Sequence, residues 1–189
     1  MATVLGFKGK NHLQRRDPKT GRLTDDIAAA AAESDDDVDD RRTPATVFDP
    51  LHTEHAFTLD AAANAENAKC PRYFDRSVDG LSQSWAGEVV WCNPPYSALA
   101  AWTRKALAEV ASGCPKVVML LPANRTEQRW WQELIEPRRD AGVGVRTRFL
   151  PGRARFGTPK NPDGRWYTSA PFGLVVVTIE PTDEKGTER

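Results

Sequence analysis

The chain reads as an α/β fold, a mixed sheet flanked by helices on both faces. Three features predict it. Short apolar runs mark strands at 89–92, 117–121 and 172–179, and Val145 to Leu150 supplies another strand. Segments with apolar residues at helical spacing lie between several of these runs. Strand–helix alternation of this kind is the pattern of parallel strands joined by crossover helices, with the last run, 172–179, expected to lie antiparallel.

The elements follow in order. Thr43-Pro44 with Ala45, Val47, Phe48 and Leu51 predicts a short helix, Thr43 as N-cap and Pro44 at the first helical position. Residues 56–60 form a brief strand ending on the acid Asp60, and the alanine-rich segment 61–69 reads as helical. Val89-Val90-Trp91-Cys92 is a buried strand that stops at Asn93-Pro94-Pro95-Tyr96. Ser97 then caps a helix whose Leu99, Trp102, Ala106, Leu107 and Val110 share one face. A strand at 117–121 closes on Pro122, and 126–140 is a helix around Trp130, Trp131, Leu134 and Ile135. In such sheets ligands sit beyond the carboxyl ends of the strands, where Asp60 and Asn93 both fall.

The bulk numbers bound the organisation. Of 189 residues, 43–180 are expected to form the folded domain, enough for one sizeable core. Residues 1–42 read as a disordered charged tail: a poly-alanine run and the acidic cluster around Asp35-Asp36-Asp37 carry too few large apolar groups to offset ordering. Residues 181–189 read as a second, short tail. Lys+Arg and Asp+Glu stand at 26 each, so net charge names no partner. Cys70, Cys92 and Cys114 contain no close pair, which suits reduced thiols. His52 and His55 lie one helical turn apart without a third ligand nearby, so no metal is expected. Without a signal peptide or an apolar run of about 18 residues, the expectation is a soluble, cytoplasmic protein with no membrane contact.

Asn93-Pro94-Pro95-Tyr96, directly after a buried strand, carries the chemistry. Adjacent prolines fix two φ angles and remove two amide donors, giving a rigid elbow that exposes carbonyls. A planar amino nitrogen attached to a ring is a poor nucleophile until it pyramidalises. The Asn93 side-chain oxygen and the Pro94 carbonyl can accept its two N–H groups, while Tyr96 stacks on the base and stabilises developing positive charge.

These four residues resemble the catalytic motif of amino-methyltransferases acting on adenine or on protein glutamine amides. Further stretches narrow the resemblance: Thr43-Pro44-x-x-Val47-Phe48, Phe57-Thr58-Leu59-Asp60-Ala61-Ala62-Ala63, Glu66-Asn67-Ala68-Lys69-Cys70, Leu120-Leu121-Pro122-Ala123, Trp130-Trp131 and Gly152-Arg153-Ala154-Arg155-Phe156. Together they resemble the phage-type DNA N-6-adenine-methyltransferase (Dam) family. The resemblance implies a methyltransferase-like (Rossmann-like) fold, S-adenosyl-L-methionine as cofactor and double-stranded DNA as partner. It also implies that Thr43 and Pro44 lie against the methionine end of the cofactor. Asp60, followed by Ala61, occupies the acidic position of the first cofactor motif, and Asp79 is similar to the acid that binds the cofactor's adenine. For Asp60 a helix-cap role, and for Asp79 an ordinary Asp-Gly turn, stay open. Host-defence evasion or DNA marking would follow from the same resemblance.

The chain departs from the usual pattern in one place. Only 33 residues separate Asp60 from Asn93, and Ala61-Ala62-Ala63 replaces the Gly-x-Gly loop, so the region between cofactor and catalytic motifs is abbreviated. Asp75 is the acidic candidate there for the ribose hydroxyls.

A second informative region spans 146–165. Arg146, Arg148, Arg153, Arg155, Lys160 and Arg165 oppose the single acid Asp163, a local net of +5 in a chain whose total is zero. Glycines and prolines mark a turn-rich loop, with Phe156 and Trp166 interleaved. Phosphate contact and base stacking require this combination. Phe156 is expected to sandwich an extruded base against Tyr96. Two alternatives stand beside the DNA reading. A protein glutamine N-methyltransferase shares the catalytic motif but gives no reason for the basic loop, and a non-catalytic DNA-binding remnant gives no reason for the intact motif.

Overall fold

The computed structural model describes residues 41–139, 141, 144–157 and 172–182. Nearly all of the two expected tails, together with Lys160, Asp163, Arg165 and Trp166, lie outside the described residues. Arg41 and Arg42, placed by sequence in the tail, belong to the folded unit: Arg42 forms a two-bond antiparallel bridge with Gly157.

The elements run α1 (Ala45–His55), β1 (Leu59–Asp60), β2 (Arg72–Tyr73), β3 (Val89–Cys92), α2 (Leu99–Ala111), β4 (Lys116–Pro122), α3 (Arg129–Leu134), β5 (Val145–Phe149) and β6 (Leu174–Ile179). The six strands form one sheet in the order β2-β1-β3-β4-β6-β5. The pairs among β2, β1, β3 and β4 are parallel, whereas β6 runs antiparallel to both β4 and β5. The expected mixed sheet with an antiparallel last strand is therefore present.

Strand alternation sorts the apolar residues into two cores. Val117, Met119 and Leu121 join Val175 and Val177 on the face covered by Trp102, Ala106, Trp131 and Ile135. Val118, Leu120, Leu174 and Val176 face the other way, against Phe48, Leu51 and Phe57 of the α1 region. Both faces of β4 are covered, which is why its sequence reads as an unbroken apolar run. Each such side chain contributes about 1.5–3 kcal/mol of burial.

Several boundaries differ from the sequence reading, each for a local reason. Pro44, not Thr43, is the N-cap of α1; its carbonyl accepts the amides of Val47 and Phe48, and no side chain caps the helix. Ser97 lies inside a single 3₁₀ turn, Tyr96–Ala98, and α2 starts directly after it. Helix α3 ends at Leu134, well short of 140, because Pro137 cannot continue it. Residues 61–69 are not a helix. Asn64 and Asn67 capture the amides of Asn64, Glu66 and Asn67 with their side-chain oxygens, and this competes with the helical ladder.

The abbreviated stretch between β2 and β3 contains no helix, and Trp85 holds it instead. This side chain is fully buried, stacks on Trp102 with centroids 6.2 Å apart, and donates its ring N–H to the Gly80 carbonyl at 3.0 Å. The backbone N–H of Trp85 donates to the buried Glu109 carboxylate at 2.7 Å, which Lys105 also grips. Gly80 is squeezed between Ala61 and Trp102: a Cβ there would lie 2.2 Å from the Ala61 carbonyl oxygen. Ala61 cannot retreat, since its own N–H bonds the Trp91 carbonyl across the sheet. Gly80→Ala is expected to destabilise the chain by at least about 1–3 kcal/mol, read as a lowered denaturant midpoint.

Candidate active site

The site follows from the strand order. From β1 the chain moves outward to β2, and from β3 it moves the other way to β4. The carboxyl ends of β1 and β3 therefore flank a topological switch point, the place where open sheets bind ligands. Asp60 ends β1, opposite Trp91 in register, and Asn93 follows β3 directly.

The Asn93 elbow is largely enclosed. Pro94 is buried, Pro95 is half-buried, and the Pro95 carbonyl starts the following turn by accepting the Ala98 amide at 3.1 Å. Asn93 donates from Nδ2 to the main-chain carbonyl of Arg41 at 3.1 Å. Its Oδ1 is buried and has no hydrogen-bond partner among the described residues, and neither has the Tyr96 hydroxyl. An unmet buried acceptor costs free energy unless a ligand meets it. Burial pushes the Tyr96 hydroxyl well above its ordinary range, so the ring stays neutral. Its aromatic neighbour is Phe172, with centroids 5.7 Å apart.

Phe156 does not occupy that place. It is fully buried in the α1-side core with Trp91, Leu120 and Val176, so it cannot stack on an extruded base. The physical reason is the bridge at its flank: Gly157 pairs with Arg42, which turns Phe156 inward. Phe172 was missed by the sequence reading, yet a signal existed. It precedes an antiparallel strand, and such a strand begins at the end where its parallel neighbours finish.

Asp60 is 2% exposed, and both of its oxygens face backbone amides, Lys69 at 2.9 Å and Ala62 at 3.4 Å. That is the capping role left open by the sequence, exerted on an irregular loop rather than a helix. Burial raises its carboxyl to about 6 against the opposing pull of those amide bonds. Because the folded value exceeds the ordinary value of 3.8, folding takes up a proton between these limits. Stability from this group therefore falls as pH rises through the window, and the penalty is complete above about 6, on the order of 3 kcal/mol. Melting curves above and below the window should show this dependence in the wild type and its loss in Asp60→Asn.

The loop that Asp60 pins forms one wall of a cavity of about 300 Å³. Thr43, Pro44 and Arg42 line one side, Glu66 and Lys69 another, and Arg155 a third. Thr43 is itself buried. Ala61 is wholly buried behind the loop, whereas Asp79 is exposed, at φ 54°, and accepts the Leu81 amide at 3.1 Å as part of a local turn. Asp75 is likewise engaged by Ser77 and Val78. The structure thus gathers Thr43 and Pro44 with the Asp60-pinned loop, and leaves Asp79 outside that cavity.

The basic segment divides. Arg146 pairs with Glu180, and Arg148 pairs with Glu54 of α1 at 2.8 Å. Both lie on the edge strand β5, largely exposed, each with a carboxylate already at hand. Arg153 and Arg155 are exposed beyond the strand and form no ion pair among the described residues. Among the described residues no group of three His, Cys, Asp or Glu is placed to hold a metal, and no helix is long and apolar enough to cross a membrane.

A mixed six-stranded sheet with helices on its faces, an antiparallel strand set beside parallel ones and a Pro-Pro elbow at the switch point is consistent with a methyltransferase-like fold. A profile of the family DNA N-6-adenine-methyltransferase (Dam) matches residues 31–162, and the chain belongs to that family. It is similar to a DNA N-6-adenine-methyltransferase of Escherichia phage T1, 32% identical over 93 residues. That match covers 48% of this chain and 38% of the relative, so the chain spans well under half of the relative's length.

Proposed function

We propose that the protein transfers a methyl group from S-adenosyl-L-methionine to the exocyclic amino nitrogen of adenine in double-stranded DNA. The observation that carries this reading is the buried, unpartnered Asn93 Oδ1 at the switch point. It is an acceptor lacking a donor, held on an elbow that cannot relax. An adenine amino group supplies two N–H donors, one for Asn93 Oδ1 and one for the Pro94 carbonyl. Accepting both pulls the nitrogen towards a tetrahedral geometry and frees its lone pair.

The cavity beside Thr43 and Pro44 fits the amino-acid end of the cofactor. Glu66 supplies an acceptor for an ammonium, and Lys69 supplies a cation for a carboxylate. The bound cofactor supplies an electrophilic methyl carbon on a sulfonium whose departure as a neutral thioether needs no acid. The proton lost from the amine passes to solvent once the new N–C bond has formed. Tyr96, neutral and backed by Phe172, presents a ring face to the base and to its growing positive charge.

Incubation of the chain with methyl-labelled cofactor and either duplex DNA or a glutamine-containing protein tests the reading. Label is expected in N6-methyladenine and absent when the duplex is fully premethylated at that nitrogen. Label on protein glutamine alone would transfer the site to that substrate, and cofactor-independent DNA binding with no label would mark a non-catalytic remnant.

Arg153 and Arg155 are the proposed phosphate ligands. Replacing both with alanine should weaken binding to all DNA sequences alike. It should also flatten the plot of log affinity against log salt by about 0.9 for each phosphate left unneutralised. If neither affinity nor slope changes, DNA enters by another face.

A further inference from the structure

We propose that Arg41 is a positioning residue of the reaction: its main-chain carbonyl holds Asn93 Nδ2 and so fixes which end of the amide meets the substrate amine. This rests on the transfer reading above. An asparagine amide carries an acceptor at one end and a two-proton donor at the other, and the ends are nearly the same size. Turned the wrong way, Asn93 would meet an incoming amine donor to donor. The Arg41 carbonyl accepts from Nδ2 at 3.1 Å, and the same rotation leaves Oδ1 buried without a partner. A carbonyl can only accept, so this hydrogen bond favours a single amide orientation.

The carbonyl is itself held. Next to it, Arg42 donates its N–H to the Gly157 carbonyl at 2.8 Å and accepts the Gly157 N–H at 3.0 Å. The Arg42 guanidinium is ion-paired with Glu66. The chain then enters Thr43, which is buried, and the rigid Pro44. Three anchors in consecutive residues thus keep the Arg41 carbonyl over the catalytic amide. The Arg41 side chain is also near the site, for its charge acts on the Tyr96 hydroxyl against the effect of burial.

The test uses the full chain and two readouts. In the wild type, the Asn93 side-chain amide protons, assigned by their loss in Asn93→Asp, should exchange slowly with solvent, one of them showing the shift of a hydrogen-bonded proton. Rapid exchange and free-amide shifts would overturn the proposal. Arg42→Pro deletes the N–H that ties the segment to Gly157. It should release that protection and lower kcat, at saturating cofactor, on the order of tenfold. In an Asn93→Asp background the loss should be far smaller, because a carboxylate presents an oxygen whichever way it is turned. Equal losses in the two backgrounds would show that the segment merely supports the fold, and would sink the proposal. Should Arg42→Pro fail to fold by thermal melt, Gly157→Pro removes the opposite bond of the same bridge and is read in the same way. A wild type that transfers no methyl group overturns the transfer reading, while the exchange measurement decides the Arg41 hydrogen bond separately.

Discussion

Asn93→Ala is expected to lower methyl transfer by a factor on the order of 10²–10³ or more while cofactor affinity is kept. The side chain points its acceptor away from Arg41 into a place where nothing meets it, so its removal takes nothing from the resting fold except the Nδ2 bond to that carbonyl. The Thr43–Lys69–Arg155 cavity is lined by other residues and should bind as before. Single-turnover rates with labelled cofactor, beside calorimetry on the same variant, separate the two quantities. Near-normal turnover on adenine-containing DNA would remove Asn93 from the chemistry. Equal loss of turnover and cofactor affinity would move it to the cofactor's side of the site.

Phe156→Ala should act on stability. The ring is wholly enclosed among Trp91, Leu120, Leu174 and Val176, and truncating a buried aromatic costs about 3–5 kcal/mol through reduced burial and the cavity left behind. Thermal and denaturant melts should show the loss, and whatever fraction stays folded at low temperature should retain its intrinsic turnover. Phe172→Ala should show the reverse pattern, a small change in melting with a clear fall in turnover, since this half-buried ring backs Tyr96 at the site. If Phe156→Ala melts like the wild type and turns over slowly, the burial of that ring is not what the chain adopts in solution.

The contrast between these two rings shows where the sequence was legible. Strands β4 and β6 are long apolar runs covered on both faces, and a run of that kind announces itself whatever surrounds it. The Asn93–Tyr96 motif is contiguous, so its placement after β3 could be read directly. The misread features depend on pairings between distant segments. A loop phenylalanine beside arginines looks like a stacking residue until the pairing of Arg42 with Gly157 turns it inward. Alanines at 61–63 look helical until Asn64, Asn67 and Asp60 take the amides that a helix would use. Glu66 and Lys69 stood in the sequence only within a stretch resembling the family, and their place in a cavity wall was not read, because no local pattern marks an irregular loop as one.

The placement of β6 has a consequence for how the protein is made. It is the last described strand in chain order, yet it lies between β4 and β5, and among the described residues β5 pairs with no other strand of the sheet. While residues 174–179 are still inside the ribosomal tunnel, β4 has an unpaired edge and β5 hangs from the chain with nothing to join. A nascent chain in that state exposes two strand edges at once, the condition under which incomplete sheets recruit one another. Closure of the sheet therefore awaits the arrival of β6 from the ribosome. A message broken anywhere upstream of that segment yields a chain with open strand edges rather than a smaller closed sheet.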